Sequence, residues 1–197
     1  MSTHTVGILL AAGAGTRFGG GKLLAPLHGK PLVLRALAVL HTAVADVLAV
    51  VRPGDESLHD LLRAAGARVL ICPQAADGMG HSLACAAREI PPDAPALVAL
   101  GDMPTIAPDT ARRVHDAVAA GAAIAVPDYR GRRGHPVGFA ARFVPELASL
   151  AGDQGARTLL LRYADQVLDI EVDDPGCVTD IDTAADLAAA TQHRPLN

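Results

Sequence analysis

The chain has 197 residues, half of them hydrophobic, 19% charged and 3% aromatic, which suits one domain with a full core and excludes a disordered chain. A net charge of −4, no basic run and no tryptophan argue against nucleic acid as the main partner. No apolar run reaches membrane-spanning length and Met1–Thr5 does not read as a signal peptide, so the expected location is the cytoplasm, away from membranes.

Val6–Ala11 is an apolar run that reads as a strand, and it ends in a loop with five glycines, Gly13, Gly15, Gly19, Gly20 and Gly21. The segment 31–44 reads as a helix with Pro31 in its first turn. Further along, strands are expected at 46–51, 68–71, 96–100 and 122–126, and helices at 56–65, 79–89 and 108–120. The polar stretch 128–134 reads as a turn or hairpin tip and 135–139 as a strand. Helices follow at 142–150 and 156–163, a strand at 166–172 and a closing helix at 183–191. Continuous apolar strands imply burial on both faces, hence a mostly parallel sheet with helices on each side. The expected organisation is one domain over 1–191 and a loose tail at 192–197. Cys72, Cys85 and Cys177 are odd in number and lack Cys-x-x-Cys spacing, so they read as reduced thiols, with no zinc site or disulfide framework.

A strand, a glycine-rich loop and a helix, in that order, form a phosphate-binding arrangement in α/β proteins. Glycines let backbone N–H groups approach an anion, and Arg17 and Lys22 add positive charge. Gly21-Lys22 matches part of a Walker A loop, but Thr16 replaces its first glycine and Leu23 its metal-holding hydroxyl. Gly13 and Gly15 match part of the dinucleotide fingerprint, but Phe18 stands at the third glycine. Arg52, after the second long strand, suits a 2′-phosphate, which keeps an NADP enzyme open.

Asp102 follows the strand at 96–100, at the sheet edge where open α/β folds bind ligands, and a carboxylate there suits Mg²⁺. The alternative is a helix cap near Pro108, for which Thr105 and Asp109 are better placed. Alternation puts Asp180 and Asp182 on one side of an extended segment. Asp182 then either completes a metal shell with Asp102 or, with Thr183, caps the last helix, where Asp186 sits near a capping-box position. Asp77–Leu83 is a second glycine-containing turn into a helix: its N–H groups and Ser82 face a base or phosphate, or simply start the helix. Gly134–Phe139, with His135, and Gly152–Arg157 carry polar groups able to meet a substrate, although a lone histidine is usually structural and Arg157 also suits a solvated helix face.

Leu10-Ala11-Ala12-Gly13-Ala14-Gly15-Thr16-Arg17-Phe18-Gly19 followed by Lys22-Leu23 resembles the signature of GT-A-like nucleotidyltransferases. With Gly78–Leu83, Gly101-Asp102-Met103-Pro104, Gly134-His135-Pro136, Gly152–Arg157 and Asp180–Thr183, the set resembles the molybdenum cofactor cytidylyltransferase family of the MobA-like NTP transferase superfamily. These motifs span nearly the whole chain in family order. The resemblance implies a three-layer α/β/α Rossmann-like fold with a mixed, mostly parallel sheet. It implies an enzyme that binds CTP through Leu10, Ala11, Ala12, Gly13, Gly15, Arg17, Lys22, Gly78, Met79 and Ser82. Arg17, Lys22 and Asp102 would be catalytic, Asp102 and Asp182 would hold Mg²⁺, and His135, Pro136, Asp153 and Arg157 would face molybdopterin. Ala11-Ala12-Gly13 resembles the cytidylyl branch; GTP or another NTP, and an NAD(P)H-dependent oxidoreductase on the same loop, are the alternatives. A molybdoenzyme or chaperone is a candidate partner, and the expected state is a monomer or weak dimer. Two departures from the family pattern stand out: three glycines precede Lys22, and Asp182 is followed by Thr-Ala-Ala-Asp without the common proline and glutamate.

Overall fold

The structure is a computed structural model that describes residues 4–192. Its strands are β1 (Val6–Leu10), β2 (Pro26–Leu27), β3 (Lys30–Pro31), β4 (Asp46–Val51), β5 (Arg68–Ile71), β6 (Ala96–Leu100), β7 (Ile124–Tyr129), β8 (Arg132–Arg133), β9 (Val137–Phe139) and β10 (Val167–Glu171). Its helices are α1 (Leu32–His41), α2 (Glu56–Ala64), α3 (Met79–Ala87), α4 (Pro108–Ala119), α5 (Val144–Leu147), α6 (Arg157–Arg162) and α7 (Ala184–Gln192). The main sheet runs β10-β7-β9-β6-β1-β4-β5, with β8 paired to β7. β9 is antiparallel to both neighbours, β8 is antiparallel to β7, and the other pairs are parallel. This is the expected mixed, mostly parallel sheet.

Period-2 alternation divides the apolar runs between two cores. Ile8, Leu48, Val50, Val98 and Val126 pack on one face against Leu83 of α3, Leu147 of α5 and Leu159 of α6. Leu9, Val47, Ala49, Val51 and Leu97 pack on the other against Leu37 and Leu40 of α1, Leu62 of α2 and Val114 of α4. The result is three layers. Chain direction then places the site: β4 and β5 extend to one side of β1, and α3 carries the chain back to β6 on the other. The C-terminal ends of β1 and β6 therefore flank the point where strand order reverses, which is where open α/β sheets bind ligands.

Several boundaries differ from expectation. α1 begins at Leu32 because Pro31 is extended and pairs with Pro26 in a small hairpin. It ends at His41, where the Thr42 hydroxyl donates to the Val39 carbonyl at 2.6 Å. β7 starts at Ile124 and continues past Pro127 to Tyr129, since Pro127 falls where β7 changes partner from β9 to β8. β9 begins only at Val137, after Pro136, which has no N–H for a ladder. The expected helix at 142–150 is a 3₁₀ turn at Ala141–Phe143 followed by the single turn α5. Gln192 closes α7; the rest of the expected tail, 193–197, and Met1–Thr3 lie outside the described residues. The three cysteines are free thiols, and burial first of all pushes Cys177 up to about 11. No helix among the described residues is long and apolar enough to cross a membrane.

Neither Thr105 nor Asp109 caps α4. The buried carboxylate of Asp174 caps the 3₁₀ turn Pro175–Val178, accepting the Gly176 N–H at 2.9 Å, and ties that turn to the start of α4 by accepting from the Ala107 N–H at 2.8 Å and the Thr110 hydroxyl at 2.7 Å. Asp174→Ala strands three donors and is expected to lower unfolding stability by about 2–4 kcal/mol. Urea unfolding checks this; a loss below about 0.5 kcal/mol, the level of an ordinary surface change, would contradict the cap.

Candidate active site

The loop after β1 contains two 3₁₀ turns, Thr16–Phe18 and Lys22–Leu24. Between them Gly19, Gly20 and Gly21 have φ of +91°, +96° and +64°, the left-handed region that favours glycine, so the triplet is a backbone requirement here. The loop delivers Lys22 inward: its side chain is 9% exposed. Its Nζ donates to Asp102 Oδ2 and to Asp182 Oδ1, both at 2.8 Å. Arg17 donates to Asp182 Oδ2, also at 2.8 Å, from an exposed position.

Burial alone would lower the Lys22 pKa, but the hydrogen bonds and charges of Asp102 and Asp182 outweigh it and hold it above the ordinary value. The reciprocal effect, led by the hydrogen bond from Lys22, holds the Asp182 carboxyl below its usual range. Asp102 lies just beyond β6, and its carbonyl accepts the Ile181 N–H at 2.9 Å, which fixes the segment that carries Asp182. Thr183 and Asp186 form the reciprocal cap of α7: the Asp186 N–H donates to Thr183 Oγ1 at 3.1 Å, and Asp186 Oδ2 accepts the Thr183 N–H at 2.7 Å. The Asp182 carboxylate takes no part in that cap and points to Lys22 and Arg17.

A cavity of about 610 Å³ opens beside this cluster. Leu10 lines it from the end of β1, Ala12, Gly13 and Lys22 from the first loop, Gly78, Met79 and Ser82 from the start of α3 and its N-cap, Asp102 from just beyond β6, and Asp153 from the loop before α6. The remaining sequence-predicted residues lie elsewhere. Ala11 faces the α1–α2 core and its N–H donates to the Val50 carbonyl at 2.9 Å. Gly15 lies against the Lys22 Cβ, and Arg17 and Asp182 stand beside the cavity through the ion-pair cluster. The His135 N–H donates to the Cys177 carbonyl at 2.8 Å, and its Nδ1 is buried without a partner. Burial pushes the His135 pKa down against the backbone hydrogen bond to Val98 and the charges of Asp102 and Asp180. Pro136 is buried beside it, and Arg157 is exposed at the first turn of α6. The far wall, Pro53 after β4 and Pro73, Ala75 and Ala76 after β5, is absent from the sequence expectations. These residues follow the C-terminal ends of parallel strands, the one signal that points to them. Arg52 also lines the cavity, its Nε donating to Asp55 at 2.7 Å.

The donor set fits Mg²⁺. Asp102 Oδ1 is a buried carboxylate oxygen with no partner, and Asp182 reaches the same ammonium. Mg²⁺ is commonly held by one or two carboxylates, with water and substrate phosphates completing the shell. Among the described residues no three His, Cys, Asp or Glu side chains form an all-protein cage, so a cation held here would draw on phosphate or water oxygens for the rest of its shell.

Residues 7–167 match the family model described as a MobA-like NTP transferase domain. The purine catabolism protein PucB of Bacillus subtilis is 29% identical over 92% of this chain and 93% of its own. Nicotine blue oxidoreductase of Paenarthrobacter nicotinovorans is 31% identical over 90% of this chain and 91% of its own. A probable molybdenum cofactor guanylyltransferase of Thermococcus gammatolerans is 34% identical over 53% of this chain and 51% of its own. The match to bifunctional protein GlmU of Halorhodospira halophila, 36% identical over 52% of this chain, spans only 22% of that protein. The crystal structure of Rv0371c from Mycobacterium tuberculosis superposes with a TM-score of 0.82 at 30% identity, over 98% of this chain and 100% of that one. Its complex with manganese superposes at 0.79 and 27% identity, with the same coverage.

Lys22→Met removes the cation between two carboxylates, and stability at pH 7 is expected to fall by about 1–2 kcal/mol, a value kept small by the exposure of Asp182. The Asp182 contribution is present above its unfolded pKa of 3.8 and is lost as pH falls through the depressed folded value. The Lys22 contribution is present below 10.5 and is lost as pH rises through the raised folded value. Denaturant unfolding of both proteins across pH should therefore show a constant gap between those limits that narrows beyond each. A gap independent of pH would contradict the pairing.

Proposed function

The chain belongs to the family of MobA-like NTP transferase domains, and on that premise we propose that it transfers CMP from CTP to the terminal phosphate of molybdenum-molybdopterin. The products are molybdopterin cytosine dinucleotide and pyrophosphate. The observation that carries the reading is the convergence of Lys22, Asp102 and Asp182 beside a cavity lined by the first loop. The cytidylyl choice rests on Ala11-Ala12-Gly13 and on the resemblance that those residues carry.

The attacking phosphate is already ionised near neutral pH, so the reaction needs positioning and charge neutralisation more than a general base. The loop after β1 presents backbone N–H groups to the triphosphate. Lys22 and Arg17 stabilise negative charge as it moves onto pyrophosphate. Asp102 and Asp182 are the residues for Mg²⁺, which supplies electrostatic neutralisation of the phosphate oxygens when bound. The manganese complex of Rv0371c supports divalent-metal use. Ser82 and the cavity wall after β4 and β5 enclose the nucleoside, while His135, Pro136, Asp153 and Arg157 serve the acceptor.

Two other readings have an observation behind them. The relative named as a probable molybdenum cofactor guanylyltransferase favours GTP in the same chemistry. The relative named nicotine blue oxidoreductase, with Arg52 in the cavity wall, favours NAD(P)H. Calorimetry of CTP, GTP, ATP and NADPH with and without Mg²⁺ separates the three: the expected result is a Mg²⁺-dependent preference for CTP. Preference for GTP moves the specificity, and metal-independent NADPH binding alone overturns the transferase reading. Asp102→Ala is expected to abolish CMP transfer while leaving the circular dichroism spectrum unchanged; retained turnover would remove Asp102 from the metal site.

A further inference from the structure

The start of α3 and the loop before α6 are in direct backbone contact. The Gly80 N–H donates to the Gly152 carbonyl at 2.7 Å. A Cβ on Gly78 would lie 2.5 Å from Asp153 Oδ1, and one on Gly80 would lie 2.7 Å from the Ala151 carbonyl oxygen, so only glycine permits this approach. One side chain secures the loop from the α3 side. His81 Nδ1 accepts the Gly152 N–H at 3.2 Å. The next residue, Asp153, lines the cavity together with residues of the first loop.

The same Nδ1 lies 3.1 Å from the Asp77 carbonyl oxygen. An imidazole nitrogen either accepts or donates, so the two contacts are mutually exclusive. With its proton on Nε2, His81 holds Gly152; with a proton on Nδ1, it turns to Asp77 and faces the Gly152 N–H with another donor. The bond to Gly152 is thus the only one of the two that ties α3 to the loop.

We propose that His81 is a positioning residue whose Nδ1, by accepting the Gly152 N–H, sets Asp153 in the cavity wall. A carboxylate offers only acceptors. At that place it suits a hydroxyl or amino group of the bound substrate, not a phosphate. The proposal rests on the reading of the cavity as the substrate site, but the coupling between His81 and Gly152 does not.

The test compares wild type, His81→Ala and His81→Asn, because asparagine places Oδ1 where the imidazole carries Nδ1. Amide exchange at Gly152 is followed by NMR, and KM and kcat are measured with CTP, GTP and the acceptor. His81→Ala should speed Gly152 exchange about three- to tenfold, the loss of one hydrogen bond, and raise the KM of one substrate by a similar factor with kcat within about twofold. His81→Asn should restore both. Unchanged Gly152 exchange in His81→Ala overturns the proposal, as does equal loss in both variants, which would make the effect one of packing. A wild-type protein that binds no nucleotide sinks the functional reading instead, and the exchange comparison still decides the coupling.

Discussion

Two carboxylates and one buried ammonium form the interaction on which the site depends. Lys22 comes from the first loop, Asp102 from the end of a central strand and Asp182 from the entry to the last helix, and 2.8 Å contacts join them. Burying a lysine is unfavourable unless its charge is answered, and here two carboxylates answer it. Removing Lys22 leaves the two carboxylates facing one another without the buried cation between them. Arg17 extends the pair network to the surface without sharing its burial. In the proposed function, the same groups that neutralise one another in the free protein would engage an anionic nucleotide and its cation.

The sheet supplies the platform. Its central parallel strands β1, β4 and β6 are apolar on both faces, so they can sit in the middle of three layers and present their C-terminal ends to solvent together. The crossover through α3 puts β6 beside β1 on the side opposite β4, opening a crevice where the chain changes direction across the sheet. Asp174 and the Thr183–Asp186 cap then hold the later helices by polar contacts, and the cap leaves the Asp182 carboxylate free to point inward.

Much of this was legible in the sequence because it is local. Strand alternation, the glycine-rich loop, the aspartate after β6 and the start of α3 are each encoded within a few residues. The structure brings Leu10, Ala12, Gly13, Lys22, Gly78, Met79, Ser82, Asp102 and Asp153 to one cavity. The features that sequence reading missed are those set by distant partners. The β2–β3 hairpin is two residues per strand, too short for any periodicity. The start of α4 is held by Asp174, which no local pattern in the sequence points to. Whether Asp182 faced Asp102 or capped a helix was open along the chain and is decided in space by Lys22 and Arg17. Pro53, Pro73, Ala75 and Ala76, after β4 and β5, reach the cavity only through strand order.

The most direct measurement is ¹⁵N NMR of the Lys22 side chain, with and without nucleotide. The account predicts a protected ammonium that stays charged beyond its ordinary pKa of 10.5 in the free protein. That signal should shift on addition of Mg²⁺ with CTP and should not shift with NADPH. A Lys22 resonance that exchanges freely, or that ignores every Mg²⁺–nucleotide, would contradict it.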